Sequence, residues 1–236
     1  MPHALDCMPS LQQSALKDKI ASAILINLKP ALYLQLIALC LALSYFYWDA
    51  AQPTFSFFAE LKSTYGRVFA ILSTSIFGGL IPFLILLRTG QVRGQVIQQM
   101  LFYCLLWGFM GFVIDEFYQF QSVMFGDDNA LETVVKKVLC DQFIFSAFFA
   151  SPFLTFWFLF RDCRFSVTIF TKTFHFALFI NQVFTTLVST WIVWIPAVSI
   201  IYSMPSDLQV PLFNLVLCMF VLIVAIVNSD KESPQR

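Results

Sequence analysis

Asn129–Phe160, NALETVVKKVLCDQFIFSAFFASPFLTFWFLF, decides how the rest of the chain is read. It opens as a water-facing helix. Asn129, with Glu132 three residues on, reads as a capping box after the turn Gly126-Asp127-Asp128. Lys136, Lys137, Asp141 and Gln142 follow, and residues 143–160 then carry no charge at all. As one helix the segment reaches roughly 46 Å, more than the ~30 Å hydrocarbon core of a bilayer. Such a helix leaves water, crosses the interface with its Asp-Gln pair, and then spans.

Composition extends that reading to the whole chain. The 236 residues are 59% hydrophobic and 17% aromatic, with 12% charged, and the mean hydropathy is +0.78. Soluble domains carry about 25% charged residues. Twenty-nine Phe can lie against lipid but could not all be buried in a soluble core of this size. The expected fold is an all-α membrane protein, a polytopic bundle of about six membrane-associated helices. A formal net charge of zero gives no electrostatic case for nucleic acid as a partner. The six cysteines are scattered, without a C-x-x-C pair. They are expected to act as small hydrophobes, and neither a disulfide framework nor a zinc site is expected.

Residues 1–29 form a polar arm in which Leu16, Ile20, Ile24 and Leu28 recur at helical spacing, a short amphipathic pattern suited to the headgroup plane. Residues 30–228 are expected to be a helical transmembrane domain, and 229–236 a polar tail. The first apolar run, Ala31–Trp48, ends in an aromatic belt, Tyr45-Phe46-Tyr47-Trp48. The second, Val68–Leu87, holds Ser75, Gly78 and Gly79; the third, Val96–Ile114, holds Cys104, Gly108 and Gly111. Small residues of this kind let neighbouring helices approach closely. The fourth run is the opening stretch, with Pro152 as its expected kink. After Thr173 the chain stays apolar for about thirty residues, too long for one straight crossing, so a fifth helix is expected to be broken or tilted. A last run covers Pro211–Val227.

Lys17, Lys19, Lys29, Arg88, Arg93, Arg161, Arg164 and Lys172 fall on one side of these crossings, and Lys62, Arg67, Lys136 and Lys137 on the other. The positive-inside rule then puts the N-terminus inside. The lack of an evident Arg-rich presequence favours a bacterial cytoplasmic membrane over a mitochondrial inner or peroxisomal one.

Two groups of residues could carry function. The third run ends, and the fourth begins, on one membrane face, which gathers Asp115, Glu116, Tyr118, Lys137, Asp141 and Gln142. Ionisable groups at membrane depth are costly and face a bundle interior or a wet cavity, so these residues would line a polar mouth. The competing reading is interfacial anchoring in the headgroups. The second group is a polar stripe, His175, Gln182, Thr186 and Ser189, on one helical face. Such a stripe lines a water path or joins helices by hydrogen bonds. Trp191 and Trp194 read as interfacial anchors. There is no H-E-x-x-H, no G-x-S-x-G and no phosphate loop. Catalytic, metal and cofactor residues are therefore not expected. An intramembrane aspartyl enzyme would need Asp115 and Asp141 in contact.

The order of these pieces resembles the Mpv-seventeen and peroxisomal twenty-two-kilodalton membrane protein family over about Ser73–Val227. Lys137-x-x-x-Asp141-Gln142 resembles that family's lysine followed by an Asp-Gln pair; the proline usual soon after is replaced by Ser146-Ala147. Gly111-Phe112-Val113-Ile114-Asp115-Glu116-Phe117-Tyr118 resembles Gly-Pro-x-x-His-x-Trp-Tyr, keeping Gly111 and Tyr118. Trp191-x-x-Trp194 with Pro196 resembles Trp-x-x-Trp-Pro with Ile195 inserted. Met204-Pro205 and Asn214 resemble a Val-Pro turn and an asparagine nine residues later, with Gln209 where an arginine is usual. Asp115 stands where the family has its histidine, so no role of that histidine carries over.

The resemblance implies a pore-type protein of small-solute permeability and not an enzyme. The expected function is a weakly selective channel for small hydrophilic solutes, in a lipid bilayer, alone or as a homo-oligomer. The alternatives are a structural membrane scaffold without transport and, further off, an intramembrane enzyme.

Overall fold

The structure, a computed structural model, describes residues 16–92 and 94–229. Every regular element among the described residues is a helix. Helix α1 is Leu16–Tyr47, and a 3-10 turn, Asp49–Ala51, leads into α2, Gln52–Thr74. A π-helical segment, Ser75–Leu80, continues α2 into α3, Ile81–Arg88. Then come α4, Val96–Phe125, and α5, Leu131–Cys140, which runs through a second π-helical segment, Asp141–Ala150, into α6, Ser151–Asp162. The last three are α7, Val167–Thr173, α8, Phe176–Tyr202, and α9, Ser206–Ser229.

Three helical stretches among the described residues are long and apolar enough to cross a membrane: Asp49–Arg88, Val96–Phe125 and Leu131–Asp162. The two parts of α8, Phe176–Val188 and Thr190–Tyr202, meet at a 46° bend and make a fourth if taken as one span. That bend matches the broken helix expected after Thr173. Ala31–Tyr47 and Ser206–Phe220 are apolar but shorter. α1 runs without a break through the expected boundary at residue 29. The side chains of Leu16, Ile20 and Ile24, on which the amphipathic pattern rests, lie outside the described residues, as do residues 1–15 and 230–236.

One expected loop is helix. Residues 52–65, between the first two apolar runs, form the first half of α2, with Pro53 in its first turn, where a missing N–H is harmless. Gly66 then breaks the helix with φ 49° and ψ −122°, a conformation only glycine adopts without strain. The two π-helical segments have a common logic. Each ends two residues before a proline: Ile81 N–H bonds to Ile76 O ahead of Pro82, and Ser151 N–H bonds to Ser146 O ahead of Pro152. A proline ring clashes with the carbonyl four residues back, and the widened turn moves that carbonyl aside. Pro152 thus lies where the sequence expects it to disturb the helix.

The chain divides into two compact units. One takes Pro30–Val138 and the residues from Ile195 onward; the other takes Leu139–Trp194 with the chain up to Lys29. In the first, α4 packs on α2 and on the Ser75–Leu80 segment, and α9 packs on α2, α3 and α4. The small residues read as a seam do meet. A Cβ at Gly79 would lie 2.8 Å from Tyr103 O, and one at Gly111 would lie 2.4 Å from Ala70 O. Ser75 Oγ donates to Cys104 O at 2.9 Å. In the second unit α6 packs on α7, and Phe145, Phe149 and Phe153 stack along one face at 5.5 and 5.4 Å between ring centres. Cys40, Cys104, Cys140 and Cys218 are free thiols. Cys163 is in a disulfide, which the scattered spacing did not suggest.

Candidate functional site

The first unit holds a cavity of about 660 Å³ bordered by α2, α4, the loop after α4 and the start of α9. It forms where α2 breaks. Gly66 lines it, with Lys62 one turn before the break and Arg67 directly after. From α4 come Asp115, Tyr118, Gln119 and Ser122, all on one face by their three- and four-residue spacing. Asp127, Asp207 and Gln209 add to the polar wall.

Its innermost contact is an ion pair. Lys62 Nζ lies 2.8 Å from Asp115 Oδ1, with the two side chains 10% and 2% exposed. Gln119 Nε2 donates to the other carboxylate oxygen of Asp115 at 3.0 Å. Of two opposite charges this far out of water, neither can lose its partner cheaply. Beside them, at the surface, Arg67 pairs with Glu116, its Nη2 donating to Oε2 at 3.1 Å. Tyr118 is buried, its ring edge-on to Tyr202 at 5.1 Å and to Phe213 at 6.5 Å.

Lys137 is buried as well. Its Nζ lies 3.6 Å from Asp127 Oδ1 and 3.4 Å from Ser122 Oγ, both residues of the cavity wall. Gln121 ties the same region together by donating from Nε2 to Lys137 O at 3.0 Å, while its own Oε1 is buried without a hydrogen-bond partner. The start of α5 is fixed by Asp128 and not by the expected Asn129–Glu132 box. Asp128 accepts from the Thr133 hydroxyl and the Ala130 N–H, which hold its carboxyl below the usual carboxylate range. Glu132 pairs instead with Lys136 at 2.5 Å.

Of the six residues expected at a polar mouth, Asp115 and Tyr118 line the cavity, and Glu116 and Lys137 grip its wall. Asp141 and Gln142 belong to the other unit. Both are buried there. Asp141 Oδ1 accepts from Gln142 Nε2 at 3.1 Å and from Ser146 Oγ at 3.5 Å. Gln142 O accepts from Trp191 Nε1 at 3.1 Å, and the Trp191 ring lies 4.9 Å from Phe143. Two segments singled out for separate reasons, the Asp-Gln pair and the first tryptophan, therefore touch. Lys62, Arg67, Gln119, Ser122 and Asp127 were not expected at the site. A base on each side of Gly66, and two adjacent acids at the end of the third apolar run, are the sequence signal that could have found the pairs.

The structure describes three side chains of the polar stripe. His175 precedes α8 and is exposed, its carbonyl accepting from Phe179 N at 3.0 Å. Gln182 is exposed and Thr186 half-buried within α8; the side chain of Ser189 lies outside the described residues. The helix starts one residue after His175 and turns Val183 and Leu187 inward. Trp194 and Pro196 lie in α8, half-buried and exposed, and Pro205 precedes α9. Asn214 of α9 is a packing pin: it accepts from Thr74 Oγ1 at 2.7 Å and donates to Ser73 Oγ at 2.8 Å. Gln209, at the position where an arginine was expected, is buried and donates to Met204 O at 3.1 Å.

No group of three or more His, Cys, Asp or Glu among the described residues could hold a metal ion. Compared with models of known families, with curated proteins and with solved structures, the chain matches none.

Proposed function

We propose that this chain is an integral membrane protein that conducts small hydrophilic solutes with weak selectivity, and that the cavity between α2, α4 and α9 is its polar mouth. The observation that carries this reading is a buried Lys62–Asp115 pair facing a cavity of about 660 Å³. Charges at membrane depth are tolerated where they serve a wet path. The volume lies inside the roughly 300–1,000 Å³ range of small-molecule sites. The number of crossings in this reading is about six, α1 and α9 joining the longer helices. The resemblance to the Mpv-seventeen family points the same way and stands as a proposal beside it.

The test is efflux from liposomes that hold the purified full chain, using a size series of neutral probes. Leakage graded by probe size, and altered when Lys62→Met and Asp115→Asn are combined, is the expected result. Tight vesicles around folded, inserted protein would overturn the conduit. They would favour a scaffold, a reading with its own support: the Asn214 side chain bonds to helix α2, as a helix-holding residue would.

A further inference from the structure

The polar mouth proposed above carries charges of both signs, and their balance narrows what it would take. Lys62 and Arg67 come from α2, Asp115 from α4, Asp127 from the following loop and Asp207 from the first turn of α9. Lys137 and Glu116 stand behind them as partners of Asp127 and Arg67. Three bases therefore face four acids. A wall so nearly neutral concentrates neither anions nor cations, unlike a ring of one sign.

The innermost pair adds a sharper constraint. A solute with a single charge would bind Lys62 or Asp115 and strand the other, and an unpaired charge away from water is strongly unfavourable. A neutral solute meets a pair already satisfied at 2.8 Å and has little to offer it. A solute that carries an ammonium and a carboxylate together can exchange with the pair. Its carboxylate accepts from Lys62 Nζ, its ammonium donates to Asp115, and no charge is left alone. Gln119, already bonded to Asp115, keeps the carboxylate in place through the exchange. Gly66 adjoins the pair with nothing within 4 Å of where a Cβ would stand, so the backbone beside Lys62 is not walled in. We propose that this cavity binds small zwitterions, the ammonium and carboxylate of one molecule inserting between Asp115 and Lys62.

The inference rests on the polar-mouth reading, and four probes of one size separate the two: β-alanine, propionate, propylammonium and propionamide. Efflux from liposomes holding the full chain is measured for each, alongside the thermal unfolding temperature of the detergent-solubilised protein. Above the leak of protein-free liposomes, which the other three cross in uncharged form, β-alanine is expected to leave about tenfold faster than they do, as one well-made charge pair suffices to give, and to raise the unfolding temperature where they do not. Lys62→Met and Asp115→Asn should each abolish the preference. Should either single variant fail to fold, Lys62→Asp combined with Asp115→Lys restores a pair and should keep the preference. Equal leakage of all four probes would leave the conduit standing and overturn the zwitterion site. Stabilisation by β-alanine with no leakage of any probe would do the reverse. Neither leakage nor stabilisation, or a preference that survives both single variants, overturns the inference.

Discussion

Asp115 and Glu116 are neighbours on α4 with opposite fates, because consecutive residues of a helix point about 100° apart. Asp115 meets Lys62 with almost no exposure, whereas Glu116 meets Arg67 at the surface. Asp115→Asn leaves a buried ammonium unpaired and is expected to cost about 3–5 kcal/mol of stability. Lys62→Met combined with Asp115→Leu removes both charges and is expected to recover most of that loss. Glu116→Gln should leave unfolding unchanged, since exposed pairs contribute little. Unfolding of the four detergent-solubilised proteins checks the order; a Glu116→Gln loss equal to that of Asp115→Asn would refute it. Asp115 was legible in the sequence as a costly charge at the end of an apolar run. Its partner was not. Lys62 lies more than fifty residues away in a stretch that reads as a loop, and no local pattern tells a lysine which acid it will meet.

The elements themselves were easier to foresee where glycine and apolar runs coincide. Gly108 and Gly111 both read as a seam, yet the two positions differ. At Gly111 a Cβ would come within 2.4 Å of Ala70 O and 2.7 Å of Thr74 Cβ, while at Gly108 the nearest atom would be 3.6 Å away. Gly111→Ala must therefore push α4 off α2 and is expected to destabilise by about 1–3 kcal/mol. Gly108→Ala should be neutral or stabilising by up to about 1 kcal/mol through helix propensity. Equal effects of the two substitutions on the unfolding temperature would sink this distinction. What the sequence hid was α2 before Gly66. Its polar and aromatic residues, Thr54 to Tyr65, lack the long apolar run that marks a spanning helix, so helix and loop look alike there.

The chain as a whole announces its class through composition. Helices this apolar, joined by short polar links, point to a bilayer as solvent; three of them, or four with the bent α8, have the length to cross one. The full chain is expected to stay with the membrane fraction after alkaline carbonate washing. Single cysteines in a variant lacking the native ones should then report topology. With the N-terminus inside, a thiol placed at Arg88 should be shielded from a membrane-impermeant reagent in intact cells, and one at Asp128 should be labelled. Labelling at Arg88 with protection at Asp128 would invert the orientation, and full release by carbonate would remove the membrane reading. The division into two units was not legible, because it parts the chain inside one continuous helix, Leu131–Asp162, where composition runs on unchanged.

The widened turns before Pro82 and Pro152 bear on how any scan of this protein should be read. Each residue added to a helical turn rotates everything after it by about 100° relative to a regular wheel. A cysteine or alanine scan plotted on one wheel from Arg67 to Arg88, or from Leu131 to Asp162, would assign lipid-facing positions correctly on one side of the wide turn and wrongly on the other. The periodicity should be fitted in two phases, with the slip falling at Ser75–Leu80 and at Asp141–Ala150.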